Sequence, residues 1–210
     1  MLQFEQTEKY YGNHLALRIS TMKLSDGLYW LKGENGSGKT TMMKMVAGLH
    51  PFKGDILLDG RSIKKERNDF LLYVNYGEAE PVYPSFLTAK DLVELYCTTK
   101  NASIADSIQR LKDLHIYDAY KNAIGSYSSG MLKKLSIVLA FIGEPKWILL
   151  DEPLITIDVA AVVLVCEWIN KMRTEKGISF IISSHQSFQE SLPFSSIIEV
   201  QNQTASIQSL

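Results

Sequence analysis

The chain has 210 residues, a 46% hydrophobic composition and a formal net charge of −1. That is enough apolar matter to bury a full core, as one large domain or a core with a small insertion, and it argues against disorder. The charges are well mixed, with no polybasic tract suited to nucleic acid and no acidic tail, so no nucleic-acid partner is expected.

The opening MLQFEQTEKYYG places charged residues where a secretory signal would need an apolar stretch. Cys97 and Cys166 lie far apart without metal-ligand spacing, which predicts free thiols in a reducing compartment. The longest apolar stretch, 159–166, falls far short of the ~20 residues a membrane span needs. If the protein works at a membrane, another chain must supply the spanning part.

In chain order, LQFEQ (2–6), HLALRIS (14–20) and LYWLK (28–32) read as short strands separated by the turn-like YYGN and LSDG. GENGSGKTT follows at 33–41, then a helix-forming run that ends at Gly48. GDILLDG (54–60) predicts a strand closed by an Asp-Gly turn, and FLLYVN (70–75) another strand. From about Thr88 to Gly143 the pattern turns helical, with cap-forming starts at Thr88 and Ser103. Strand WILLD (147–151), helix VAAVVLVCEWINKMR (159–173) and strand ISFIISS (178–184) come next, and SSIIEV and TASIQ close the chain as short strands. Continuously apolar strands alternating with helices predict a mainly parallel sheet covered on both faces.

The stretch GENGSGKTT has the spacing G-x-x-x-x-G-K-[ST] between a strand and a helix, the arrangement that binds nucleotide phosphates. Gly33, Gly36 and Gly38 let the backbone curl around phosphates, Lys39 reaches the terminal ones, and the Thr40 hydroxyl is offered to Mg²⁺. In WILLDEP, an apolar strand delivers two carboxylates at its C-terminal end, where open α/β sheets bind ligands. Asp151 is the candidate to hold Mg²⁺, and Glu152 the candidate to orient or activate a water on the γ-phosphate.

GENGSGKTT, YSSGM (127–131), WILLDEPLITID and SSH (183–185) occur in the order and rough spacing of one family. From Tyr11 to His185 the chain resembles the nucleotide-binding subunit of ABC transporters. The departures in YSSGM and the following Lys133-Lys134-Leu135 look like the branch that serves export permeases.

The resemblance implies one ABC ATPase domain over 1–210: an α/β P-loop NTPase core (about 1–87 and 144–210) with a mainly parallel sheet, an N-terminal antiparallel β subdomain, and a helical subdomain (about 88–143) carrying the signature motif. It implies ATP and Mg²⁺ as cofactors, with Asn35, Gly36, Ser37, Gly38, Lys39, Thr40 and Thr41 around the phosphates. Lys39, Glu152 and the switch histidine His185 would serve catalysis. Ser128 and Gly130 match the signature positions that close on the partner's nucleotide, and Asp158 matches the aspartate that crosses the dimer interface.

Tyr11 resembles the aromatic that stacks on adenine, although a sheet-packing tyrosine would look the same. A glutamine expected after FLLYVN is missing: counting back from Thr88 puts Glu78 there, counting forward from Tyr73 puts Tyr76 there, and Glu78 would keep an oxygen near Mg²⁺ together with Thr40 and Asp151. AEPVYPSF (79–86) resembles the permease-docking region. The implied protein is an ATP-hydrolysing subunit, cytoplasmic and peripheral on the inner face of the cell membrane. It would form a homodimer or heterodimer of ATPase subunits in the ATP-bound state, on an integral-membrane permease of separate chain. The readings set against this are a soluble ABC-type ATPase acting on nucleic acid or ribosomes, and a P-loop kinase for a small metabolite.

Overall fold

A computed structural model describes residues 1–184 and 192–209. Among these residues ten strands form one sheet in the order β5-β4-β1-β2-β10-β9-β3-β8-β7-β6. One wing is antiparallel: β1 (Leu2–Tyr11) pairs with β2 (His14–Leu24) and with β4 (Lys53–Leu58), which in turn pairs with β5 (Arg61–Ser62). The other wing is parallel and runs through β9 (Ser196–Gln201), β3 (Leu28–Lys32), β8 (Ser179–Ser183), β7 (Trp147–Asp151) and β6 (Val74–Gly77). The last strand, β10 (Thr204–Ser209), joins the wings, antiparallel to β9 and parallel to β2.

The parallel strands are apolar throughout because both faces are covered. Along β7, Trp147 and Leu149 face one core with α1 (Lys39–Val46) and the antiparallel wing, while Ile148 and Leu150 face a second core with the remaining long helices. Each such side chain, fully removed from water, contributes about 1.5–3 kcal/mol before entropy is counted. The second core is built by α3 (Ala89–Thr99), α4 (Ile104–Asp113), α5 (Ser129–Ala140) and α6 (Val159–Lys176).

Local chemistry explains where these helices begin. Thr88 and Asp91 form a reciprocal capping box on α3; Ser103, Ser128 and Asp158 cap α4, α5 and α6 by accepting from the backbone N–H of the second or third helical residue. Gly177, at φ 66°, ends α6 in the left-handed conformation that glycine adopts without a steric penalty.

One expected strand is corrected. FLLYVN (70–75) does not form a strand: residues Arg67–Leu72 are a helix, α2, and the strand is β6, starting at Val74. A short apolar run does not distinguish the two by itself. Here Phe70 is fully buried while Leu72 is exposed, a one-sided burial that a helical turn produces. The Lys100 ammonium, from the end of α3, donates to the carbonyls of Leu71, Leu72 and Val74 and so caps that turn from a distance in sequence.

Candidate active site

The loop between β3 and α1 curls because its glycines allow it. Gly36 and Gly38 sit at φ 78° and 114°, and a Cβ on Gly38 would lie 3.2 Å from the Ala16 carbonyl oxygen. The loop borders a cleft of about 1040 Å³ lined by Asn35 to Thr41, Tyr11, Trp30, Asp151, Glu152, Ser184 and the β9–β10 hairpin from Glu199 to Gln203. Gly33, Gly36, Ser37 and Gly38 thus meet the two carboxylates across one concave surface. The Ser37 hydroxyl is buried with no hydrogen-bond partner among the described residues.

Lys39 opens α1 and folds back on its own loop, donating to the carbonyls of Gly33 at 2.7 Å and Glu34 at 3.1 Å. Burial pushes its ammonium pKa down, while Glu152 and Asp151 push it up. Among the described residues its hydrogen bonds go to these two loop carbonyls, at the wall of the cleft.

Asp151 ends β7 and is 1% exposed. Its Oδ2 accepts from Thr40 Oγ1 at 2.7 Å and from the Tyr76 hydroxyl at 3.3 Å; its Oδ1 accepts from Ser183 Oγ at 2.6 Å. The β7–β8 register, which pairs Asp151 with Ser183, sets the last of these. Burial, followed by the charges of Asp151 and Glu78, raises the Tyr76 phenol pKa, so Tyr76 donates to the carboxylate rather than competing with it.

Glu152 has φ 45°, an uncommon conformation for a residue with a side chain. Its N–H donates to Ser183 Oγ at 2.9 Å, and its carboxylate oxygens are shielded from solvent. Among the described residues no three His, Cys, Asp or Glu side chains converge as metal ligands. A cation in this cleft would therefore rest on the Thr40 hydroxyl, Asp151 and substrate oxygens, an all-oxygen set that suits Mg²⁺.

Residues 18–155 match the ABC transporter family. The chain belongs to that family. It is similar to the lantibiotic transport ATP-binding protein SrtF of Streptococcus pyogenes, with 30% identity over 187 residues covering 88% of this chain and 80% of that protein. It is likewise similar to the cytochrome c biogenesis ATP-binding export protein CcmA of Legionella pneumophila, 31% identical over 181 residues, covering 84% of this chain and 88% of that protein. Its fold matches a solved ATP-binding subunit of an ABC transporter with a TM-score of 0.88 at 24% identity, covering 100% of this chain and 90% of the other. A dimeric ATP-binding cassette in a post-hydrolysis state, bound to ADP and Pi, matches with a TM-score of 0.85 at 16% identity, covering 100% and 99%. The chain is an ATP-binding, ATP-hydrolysing cassette. Among the described residues no helix is long and apolar enough to cross a membrane.

Within this ABC cassette, Tyr11 is half exposed at the cleft edge, its hydroxyl 3.4 Å from Thr41 Oγ1, its ring edge-on to His50 and the Lys9 ammonium 4.8 Å above it. Other expected site residues stand outside the cleft lining. Ser128 caps α5, and a Cβ on Gly130 would lie 3.0 Å from the Thr156 carbonyl oxygen. Asp158 pairs with Lys134 at 2.6 Å, which pulls its carboxyl pKa down to about 2.

Glu78 also lies off the cleft lining. Its N–H donates to Ser136 Oγ and its carbonyl accepts from Lys133 Nζ, whereas Tyr76 is the residue whose side chain reaches Asp151. His185 lies outside the described residues. Sequence reasoning quoted Ser183 but gave it no role, and it overlooked Trp30, whose indole N–H donates to the Ser184 carbonyl at 3.0 Å. It took Lys133 only as a mark of the export branch and gave it no place at the site, although it is a buried cation inside the signature helix. A lysine within an apolar helical run was the available signal.

Proposed function

We propose that this ABC cassette powers a separate integral-membrane permease by closing as a dimer around two ATP molecules and opening after hydrolysis. The carrying observation is a half-built site. Lys39, Thr40, Asp151 and Glu152 share one cleft, while Ser128, Gly130 and Asp158 lie elsewhere on the surface. A second copy, or a related ATPase subunit, would bring its Ser128 and Gly130 to that cleft. Export as the direction of transport is supported by the names of the two relatives, a lantibiotic transport protein and an export protein.

In this reading the backbone N–H groups of Asn35 to Thr41 hold the phosphates at the N-terminus of α1, and Lys39 turns from its loop carbonyls to the β- and γ-phosphates. Tyr11 stacks on the adenine. Mg²⁺, when bound, would neutralise charge on the β- and γ-phosphate oxygens. Thr40 and Asp151 would hold it, and Glu78 would approach it only through water. Glu152 orients and polarises the attacking water, with His185 as the expected second contact to the γ-phosphate.

The permease would meet the segment from Ala79 to Phe86, where Val82 and Phe86 are 87% and 79% exposed. Such a subunit would sit on the cytoplasmic face of the membrane through that contact.

Glu152→Gln tests the clamp. It preserves side-chain shape, Lys39 and Asp151, so ATP binds while hydrolysis falls by about 100-fold or more. An ATP-dependent dimer should then accumulate in size-exclusion chromatography. A variant that stays monomeric with ATP and hydrolyses at the wild-type rate removes both Glu152 and the clamp from the mechanism.

A further inference from the structure

Lys133 lies in the second turn of α5, the helix that Ser128 caps, and is 2% exposed. An ammonium carries three protons, and Lys133 gives all of them to carbonyls: Glu78 at 2.7 Å, Ala79 at 3.1 Å and Asp151 at 2.7 Å. Two of these belong to the loop after β6. The third is the carbonyl of the peptide joining Asp151 to Glu152.

That peptide is held on both edges. Its carbonyl accepts from Lys133, and its N–H, belonging to Glu152, donates to Ser183 Oγ at 2.9 Å. The orientation of this peptide plane fixes the starting point for the φ of 45° at Glu152, and hence the direction of its carboxylate. Positive φ at a residue with a side chain persists only where the surroundings over-determine it. Two hydrogen bonds on opposite edges of one peptide do that.

The helix carrying Lys133 makes further contacts with the same region. Ser136, three residues on, accepts from the Glu78 N–H at 3.1 Å, Gly130 packs on the Thr156 carbonyl, and Lys134 pairs with Asp158. The first turns of α5 therefore touch the loop after β6, the carboxylate peptide itself, and the loop after β7. A side chain needed only to fill space there would be apolar, because a buried cation loses its hydration.

We propose that Lys133 is a positioning residue for hydrolysis, fixing the Asp151–Glu152 peptide to the signature helix so that movement of that helix is passed to the Glu152 carboxylate. The inference rests on the reading that Glu152 acts on the attacking water. Lys133 lies off the cleft lining with its three protons committed to carbonyls; it sets the geometry of Glu152.

The test uses the full chain with Lys133→Gln, whose amide retains two donors, and Lys133→Met, which retains none. Dissociation of ATP, measured by calorimetry, should stay within about threefold of wild type, because Lys39 and the phosphate loop are untouched, while kcat falls by about tenfold or more in Gln and further in Met. Ser183→Ala removes the other edge of the clamp, so the double variant with Lys133→Gln should be no slower than the poorer single variant.

Wild-type kcat in folded Lys133→Gln overturns the proposal, and so do losses of kcat and affinity that merely track the unfolded fraction. Failure of both Lys133 variants to fold also overturns it, making Lys133 a support of the fold alone. Glu152→Gln, assayed alongside, separates the two levels. Full hydrolysis in that variant sinks the role of Glu152. Lost hydrolysis there, with a normal rate in Lys133→Gln, sinks only the positioning role.

Discussion

Thr40 donates its hydroxyl hydrogen to Asp151 Oδ2 across 2.7 Å, joining the first turn of α1 to the end of β7 over 111 residues of chain. The glycine-rich loop and the carboxylate strand thus meet at one site. Thr40→Val deletes this oxygen and leaves Oδ2 with only the longer bond from Tyr76. The Mg²⁺ concentration that half-saturates hydrolysis should rise by about tenfold or more. Titrating the metal at fixed ATP checks this, and an unchanged midpoint removes Thr40 from the metal site.

Lys39→Ala deletes the cation that caps the Gly33 and Glu34 carbonyls. Hydrogen bonds to charged groups are worth about 1.5–3 kcal/mol, so ATP affinity should weaken roughly tenfold to a hundredfold. Isothermal calorimetry reads it directly.

Gly130→Ala places a methyl group 3.0 Å from the Thr156 carbonyl, tight enough that one neighbour must shift by a few tenths of an ångström. The isolated subunit should fold and keep its ATP affinity. In a Glu152→Gln background, the ATP-dependent dimer should weaken by about tenfold, because the signature turn no longer seats against the loop after β7. Sedimentation at several concentrations measures this.

Phe86→Glu adds a charge where an exposed aromatic ring would meet the permease. Co-fractionation with membranes should fall sharply, while ATP hydrolysis by the purified subunit stays within about twofold of wild type. Loss of both together would point to misfolding.

Burial pushes the Lys100 ammonium pKa down to about 8, below its ordinary 10.5. Between those values the unfolded chain holds a proton that the folded chain has released. The contribution of Lys100 to stability therefore rises as pH climbs from about 8 to 10.5, and is lost as pH falls through 8. Urea denaturation across that window should show a more positive slope in wild type than in Lys100→Met. Identical slopes would mean that the three carbonyls of Leu71, Leu72 and Val74 offset the desolvation.

The sequence by itself determined the chemistry of the loop and the strand. Glycines at 36 and 38 let the backbone turn as it does, and the short apolar run before Asp151, closed by two carboxylates and a proline, reads as a strand covered on both faces. These signals are local, because they depend on φ preferences and on periodicity within a few residues. Caps at Thr88 and Ser103 were readable for the same reason.

Tertiary structure decided what depends on partners distant in the chain. Residues 70–72 became helix rather than strand because Phe70 found a core and Lys100 found the carbonyls of Leu71 and Leu72. Between Tyr76 and Glu78, counting along the sequence could not choose. The strand register chose which side chain reaches Asp151, since β6 pairs beside β7 and projects the Tyr76 hydroxyl onto the carboxylate, while the Glu78 backbone is drawn to Ser136 and Lys133. The clamp on the Asp151–Glu152 peptide was equally invisible, because its two edges are held by residues 18 positions before and 32 after Asp151, brought together only by packing.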